Sequence, residues 1–244
     1  GFKAAQDYYH RVGYELSQSK TTEKSTTATS TTGENGAQIL TSAVSYVVGH
    51  DRLDNRFDPS EGTLLEFRQE LAGIGGDAKF YKVTGRAAYY RPVNFKTFIF
   101  GFKARASQVV GLGEKITQSQ RFFLGGRDVR GFSLSGIGPR DSGSNAAVGG
   151  NTLVTGSLEV VSPLGLSKDL NMRWTLFSDV GSVWDTDYPS GVTGASDKSI
   201  RSSVGVGLLW DTVVGPLSFY WANPVSKKDY DKTKVFQFTI GTRL

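Results

Sequence analysis

Arg121, Arg127, Arg130 and Arg140 share one stretch, RFFLGGRDVRGFSLSGIGPR, with five glycines and the apolar residues Phe122, Phe123, Leu124, Val129, Phe132, Leu134 and Ile137. The chemistry open to arginine is recognition rather than bond-making. A guanidinium stays charged, and its rigid fork can bridge two carboxylates, which lysine cannot do. A solvated linker does not need so much apolar surface. A long connection with its own pattern is usually functional or disordered, and this hydrophobicity argues against disorder. Some other part of the chain must receive it.

Catalytic constellations are missing. The 244 residues include no cysteine, which removes disulfides, thiolate metal sites and cysteine nucleophiles. His10 and His50 are the only histidines, lack metal-ligand spacing, and are expected on strand faces. There is no G-x-S-x-G elbow, and Gly111-Leu112-Gly113-Glu114-Lys115 lacks the P-loop spacing. The expectation is a non-enzyme with no catalytic residue, metal or cofactor. The net charge of +5 comes from basic residues scattered through the chain, so no nucleic-acid partner is expected.

The elements that must hold the arginine stretch are strands. Phe98, Phe100, Phe102, Ala104 and Ala106 alternate with Ile99, Gly101, Lys103, Arg105 and Ser107, giving one face fit for lipid and one carrying cations. Tyr81, Val83, Ala87 and Tyr89 alternate with Lys82, Thr84, Arg86 and Ala88; Leu65, Phe67 and Leu71 oppose Glu66, Arg68 and Glu70. About ten strands are expected, over 6–17, 39–51, 62–74, 79–92, 95–110, 151–163, 169–185, 200–212, 215–223 and 233–243. The hydrophobic content of 38% and mean hydropathy of −0.26 look soluble, and no apolar run could make a transmembrane helix. Barrel strands alternate apolar-out and polar-in, however, so their mean hydropathy is nearly that of a soluble protein.

Connection lengths decide between a soluble β-sandwich and a membrane barrel. The connections 17–38, 111–150, 186–199 and 224–232 are long, while 93–94, 164–168 and 213–214 are short, with 52–61 intermediate and 75–78 a short exception on the long-loop side. Outer-membrane barrels have short periplasmic turns and longer external loops. A sandwich has no reason to sort its loops this way. The expected fold is all-β, an antiparallel transmembrane β-barrel in the bacterial outer membrane. Gly1-Phe2-Lys3 leads straight into a strand pattern with no visible signal peptide, so a C-terminal piece of a longer protein is expected.

Five blocks, in order, resemble BamA-type outer-membrane assembly proteins. They are Phe57-Asp58-Pro59-Ser60-Glu61-Gly62; Val129-Arg130-Gly131-Phe132 with its flanks Arg121 to Gly126 and Ile137-Gly138-Pro139; Val148-Gly149-Gly150-Asn151 with Ser157-Leu158-Glu159; Phe177-Ser178-Asp179-Val180-Gly181-Ser182-Val183-Trp184-Asp185; and Gly215-Pro216-Leu217 leading to Phe236-Gln237-Phe238-Thr239-Ile240-Gly241. A lone VRGF would be weak, but five ordered blocks across nearly the whole chain are specific.

The resemblance implies a barrel of about sixteen strands. Residues 1–244 would form its C-terminal part, with the early strands and periplasmic POTRA domains upstream. It implies that the loop, about 111–150, folds into the lumen and that its arginine meets acids on the inner wall. Glu159 shares a strand face with Asn151, Thr155 and Ser157; Asp179 shares one with Arg173, Thr175, Phe177 and Gly181. The expected latch is Arg130 with Glu159 and Asp179, aided by turn-permitting Gly125, Gly126 and Gly131. The final strand, with Phe236, Phe238, Ile240, Gly241 and Leu244, resembles a targeting and gate strand, although Leu244 stands where Phe or Trp is usual. The implied activity is insertion of unfolded outer-membrane protein clients through a lateral gate and strand templating, in a lipid bilayer with lipoprotein partners. Alternatives are a TamA-like factor, a two-partner-secretion transporter, or a passive porin.

Overall fold

The computed structural model describes residues 2–5, 7–20, 38–93, 98–165, 171–188, 190–212 and 215–241. The period-two alternation forms eleven strands that pair into one sheet. In chain order these are β1 (Phe2–Ala5), β2 (Tyr8–Lys20), β3 (Gln38–Asp51), β4 (Gly62–Ala72), β5 (Phe80–Val93), β6 (Phe98–Gly111), β9 (Thr152–Pro163), β10 (Met172–Trp184), β12 (Arg201–Thr212), β13 (Gly215–Ser226) and β15 (Phe236–Ile240). Four two-residue strands lie in the connections: β7 (Gly131–Phe132), β8 (Arg140–Asp141), β11 (Val192–Thr193) and β14 (Thr233–Lys234). Each main strand is antiparallel to its neighbours in sequence, with β1 and β15 at the two edges.

Several boundaries differ from the sequence reading, and at the two ends of the chain the difference has a visible cause. The strand expected over 6–17 begins at Tyr8 and runs on to Lys20; Asp7, whose φ of 75° turns the chain, separates it from β1, a short strand ahead of the expected segment. The segment expected as one strand over 233–243 is split. Thr233–Lys234 pairs with Gly131–Phe132 of the long connection, and only Phe236–Ile240 joins the sheet.

The sheet curls on itself. Tyr9, Glu66, Lys103, Glu159, Leu209, Tyr220 and Gln237 come from seven strands, yet all line one cavity of about 570 Å³. Residues of opposite parity point away from it, and Leu65, Phe67, Val154, Leu158, Leu176, Val204 and Val206 are exposed there. This is the reverse of a soluble sheet, in which the large aliphatic residues turn inward.

The 111–150 connection covers part of the inner face. Phe122, Leu124, Val129, Phe132 and Ile137 pack with Phe80, Val109, Leu153 and Val183 in one buried cluster. Leu134 departs from this pattern, at 86% exposure. The close approach depends on Gly181 of β10: a Cβ there would lie 2.9 Å from both Leu124 and Val129 side-chain carbons.

Candidate functional site

The inner faces of β9 and β10 bring two acids together. Cross-strand register sets Asp179 opposite Ser157 and Phe177 opposite Glu159, and side chains directly opposite in a ladder lie close together. Arg130 enters between them from the long connection. Its Nε donates to Asp179 Oδ2 and its Nη2 to Asp179 Oδ1, both at 2.8 Å, and its backbone N–H adds a third bond to Oδ2 at 3.0 Å. Nη1 donates to Glu159 Oε1 and Nη2 to Ser157 Oγ, each at 3.3 Å. The carboxylates are themselves held: Ser157 Oγ donates to Asp179 Oδ1 and Thr175 Oγ1 to Glu159 Oε1, both at 2.7 Å.

Aromatic rings complete the seat. The guanidinium carbon lies 3.4 Å from the centre of the Phe177 ring and 4.9 Å from that of Tyr220, a cation over π faces. The Asp179 side chain is 1% exposed and that of Arg130 8%. Burial works against the guanidinium charge, but hydrogen bonds to Asp179 and the charges of Glu159 and Asp179 outweigh it and push the pKa above its ordinary value. Lys103 of β6 lies opposite Ser157 in register and lines the same cavity.

The other expected loop residues serve this geometry. Val129 and Phe132 are fully buried on either side of Arg130. Gly131 has φ of 91°, and a Cβ there would come within 3.2 Å of Ala222 Cβ. Gly125 and Gly126 also adopt positive φ, at 124° and 67°. Of the remaining arginines, Arg121 donates to Ile116 O at 2.7 Å, and Arg140 to Ser135 O at 2.8 Å and Asn145 O at 3.1 Å, so both brace the connection itself. Arg127 is exposed and borders the cavity.

Sequence reasoning missed several contributors. Tyr220 and Ser157, which contact Arg130, and Thr175, which holds Glu159, have the right parity, but nothing in their spacing marks them as members of this site. Gln237 of β15 donates from Nε2 to Phe132 O at 2.6 Å, 105 residues away in the chain. A second buried arginine–carboxylate pair, at Arg201, was also missed. It pairs with Asp231 at 3.0 Å, and their side chains are 1% and 0% exposed. Tyr230, beside it, donates to Asp197 and so joins two connections. Burial raises the Asp197 carboxyl, but bonds from Ser199 and Tyr230 win and hold it well below the carboxylate range. The Tyr230 hydroxyl is pushed up to about 12 by burial and by Asp197.

Phe236, Phe238 and Ile240 of β15 are exposed on the outer face, Gly241 follows with φ of 108°, and Leu244 lies outside the described residues. His10 contacts the Tyr46 hydroxyl at 2.6 Å and His50 packs against Tyr8. Among the described residues, no group of three His, Asp or Glu side chains is placed to hold a metal ion.

The sequence profile of the Omp85 superfamily domain matches residues 1–244. The chain belongs to the Omp85 superfamily. This Omp85 chain is 33% identical to the outer membrane protein assembly factor BamA of Neorickettsia risticii, over 94% of its length and 31% of that protein. It is 30% identical to the BamA of Neisseria meningitidis serogroup B, over 80% of its length and 28% of that protein. In three dimensions it resembles BamA from Haemophilus ducreyi lacking POTRA domains 1–3, with a TM-score of 0.80, 26% identity, and coverage of 98% of this chain and 52% of that one. The chain thus spans about a third of the two sequence relatives. The curled sheet is part of a transmembrane β-barrel of the bacterial outer membrane, with its aliphatic face toward lipid.

Proposed function

We propose that this Omp85 chain forms the C-terminal part of a barrel that assembles other β-barrel proteins into the outer membrane. Earlier strands and periplasmic POTRA domains belong upstream in the whole protein, and lipoprotein partners work beside it. The observation that carries the reading is likeness over 94% of the chain to a protein named as an outer membrane protein assembly factor. In this reading the cavity is the lumen, and Arg130, bound to Asp179 and Glu159, latches the loop inside it. The glycines Gly125, Gly126 and Gly131 let the backbone reach the wall.

The chemistry is non-covalent. The final strand, with Phe236, Phe238 and Ile240 toward lipid and Gly241 at its end, forms the closing side of a lateral gate. A client strand pairs with an open edge there by β-augmentation, so that backbone groups meet the bilayer already satisfied.

Depletion of the parent protein tests this. An assembly factor predicts loss of many unrelated outer-membrane barrels together. A passive porin predicts lost conductance with the other barrels intact, and a polypeptide transporter predicts loss of one exported substrate; either result would sink the proposal.

A further inference from the structure

The last strand stops short of its neighbour. Among the described residues, β13 has 12 residues, but β15 has 5 and pairs only with positions 217–221. In an antiparallel pair, alternate residues direct their backbone groups to a given neighbour. Ala222 N–H donates to Val235 O at 2.9 Å, and Gly241 N–H donates to Pro216 O at 3.0 Å. Pro216, Ser218, Tyr220, Ala222 and Pro224 therefore face β15 with their backbone. Both outer members of that series are proline, with no N–H to give. The ladder is bracketed at each end by a missing donor.

The residues that would carry the ladder on to Pro224 pair elsewhere. Thr233 lies opposite Phe132 and Lys234 opposite Gly131. Ser133 N–H donates to Lys232 O and Lys232 N–H to Gly136 O, both at 2.8 Å, and Ser133 Oγ donates to Thr233 O at 3.3 Å. Gln237, already within β15, reaches back to Phe132 O, which also accepts from Gly126 N–H at 3.1 Å. The entry to the final strand thus belongs to the loop as much as to the sheet.

We infer that Pro224 and Gln237 are positioning residues that couple the seated loop to the length of the final strand. Pro224 removes the donor that would keep 233–234 on β13, and Gln237 clasps the loop carbonyl beside Arg130. With the loop seated, β15 is held to a short ladder; with the loop released, 232–234 lose their partners and the strand end loosens. The consequence for client insertion rests on the assembly reading above, since a short closing ladder is one that an incoming strand can displace. The coupling itself does not depend on that reading.

The test uses the full parent protein in phosphatidylethanolamine–phosphatidylglycerol vesicles, following backbone amide exchange and, separately, insertion of an unfolded barrel client. Gln237→Leu keeps the size and removes the donor. Exchange should rise about five- to tenfold in both 131–136 and 232–238. A rise confined to the strand, with the loop unchanged, overturns the coupling. Pro224→Ala supplies the missing donor. The new amide should become protected while Ser133 and Lys232 exchange faster. If the new amide stays open and those two stay protected, proline does not set the ladder length. Should Gln237→Leu fail to fold, Pro224→Ala decides alone. A wild-type parent that does not speed client insertion sinks the assembly reading and leaves the exchange result standing.

Discussion

Arg130 carries a charge into a place where charge is costly. Its partners make that tolerable, and they also fix what its loss must do. Asp179, at 1% exposure, would keep the Ser157 hydroxyl but lose its guanidinium partner without Arg130. Removing one member of a buried pair costs about 3–5 kcal/mol, because the other stays buried and uncompensated. Arg130→Ala should lower the stability of the parent barrel by that order, read from its thermal unfolding. Arg130→Lys should recover only part, since an ammonium cannot span both oxygens of Asp179 while reaching Glu159. In a double-mutant cycle Arg130 and Asp179 should couple by about 1–3 kcal/mol; additive effects would mean they do not act as a pair. Arg140→Ala should cost less. That side chain bonds neutral carbonyls, Ser135 O and Asn145 O, and strands no carboxylate.

At the scale of elements, strand parity does most of the sorting. Along β9 the odd residues Leu153, Ser157 and Glu159 face the cavity side, while Val154 and Leu158 face out at 45% and 48% exposure. Leu158 lies midway along its strand, so Leu158→Arg should cost about 2–4 kcal/mol near the bilayer midplane, whereas lumen-facing substitutions obey different rules. The measurement is the folded fraction of the parent barrel in lipid across a denaturant series. An effect below about 0.5 kcal/mol, the usual scale for a soluble surface, would contradict a lipid-facing assignment. Parity was legible from the sequence along β4, β5, β6, β9 and β10 because it depends only on period-two alternation. The division at Val235 was not, because Thr233–Lys234 continues the strand pattern and only a partner from 100 residues away draws it off.

For the molecule as a whole, the long connections are tied to one another as well as to the wall. β8 pairs with β11, β7 with β14, and Arg201, Asp231, Tyr230 and Asp197 knit the 185–200 connection to 227–232. The Asp197 pKa is depressed on folding. Its contribution is therefore complete above the ordinary value of 3.8 and is lost as pH falls through the lower folded value. Tyr230 is raised, so its contribution is complete below 10.0 and is lost as pH rises toward about 12. The stability difference between wild type and Asp197→Asn should stay flat from neutral pH down to about 5 and shrink only below the ordinary carboxylate range. A difference already falling between pH 7 and 5 would place another titrating group in the tie. Arg201→Ala should open the same connections and make the exposed Lys227 and Lys228 more sensitive to trypsin.

Local chemistry settled much of this protein in advance. Alternation gave the strands their faces, connection lengths gave the sheet two unlike ends, and an apolar, arginine-rich connection had to be buried somewhere. Those properties follow from backbone geometry and solvation, which act over a few residues. Tertiary structure decided the rest. The Phe177 ring under Arg130, the second arginine tie at Arg201 and the clasp from Gln237 to Phe132 each join residues 29 to 105 positions apart. Such contacts depend on how far the sheet curls and in what register its strands meet, which are sums over the whole chain and leave no mark in any one stretch of it.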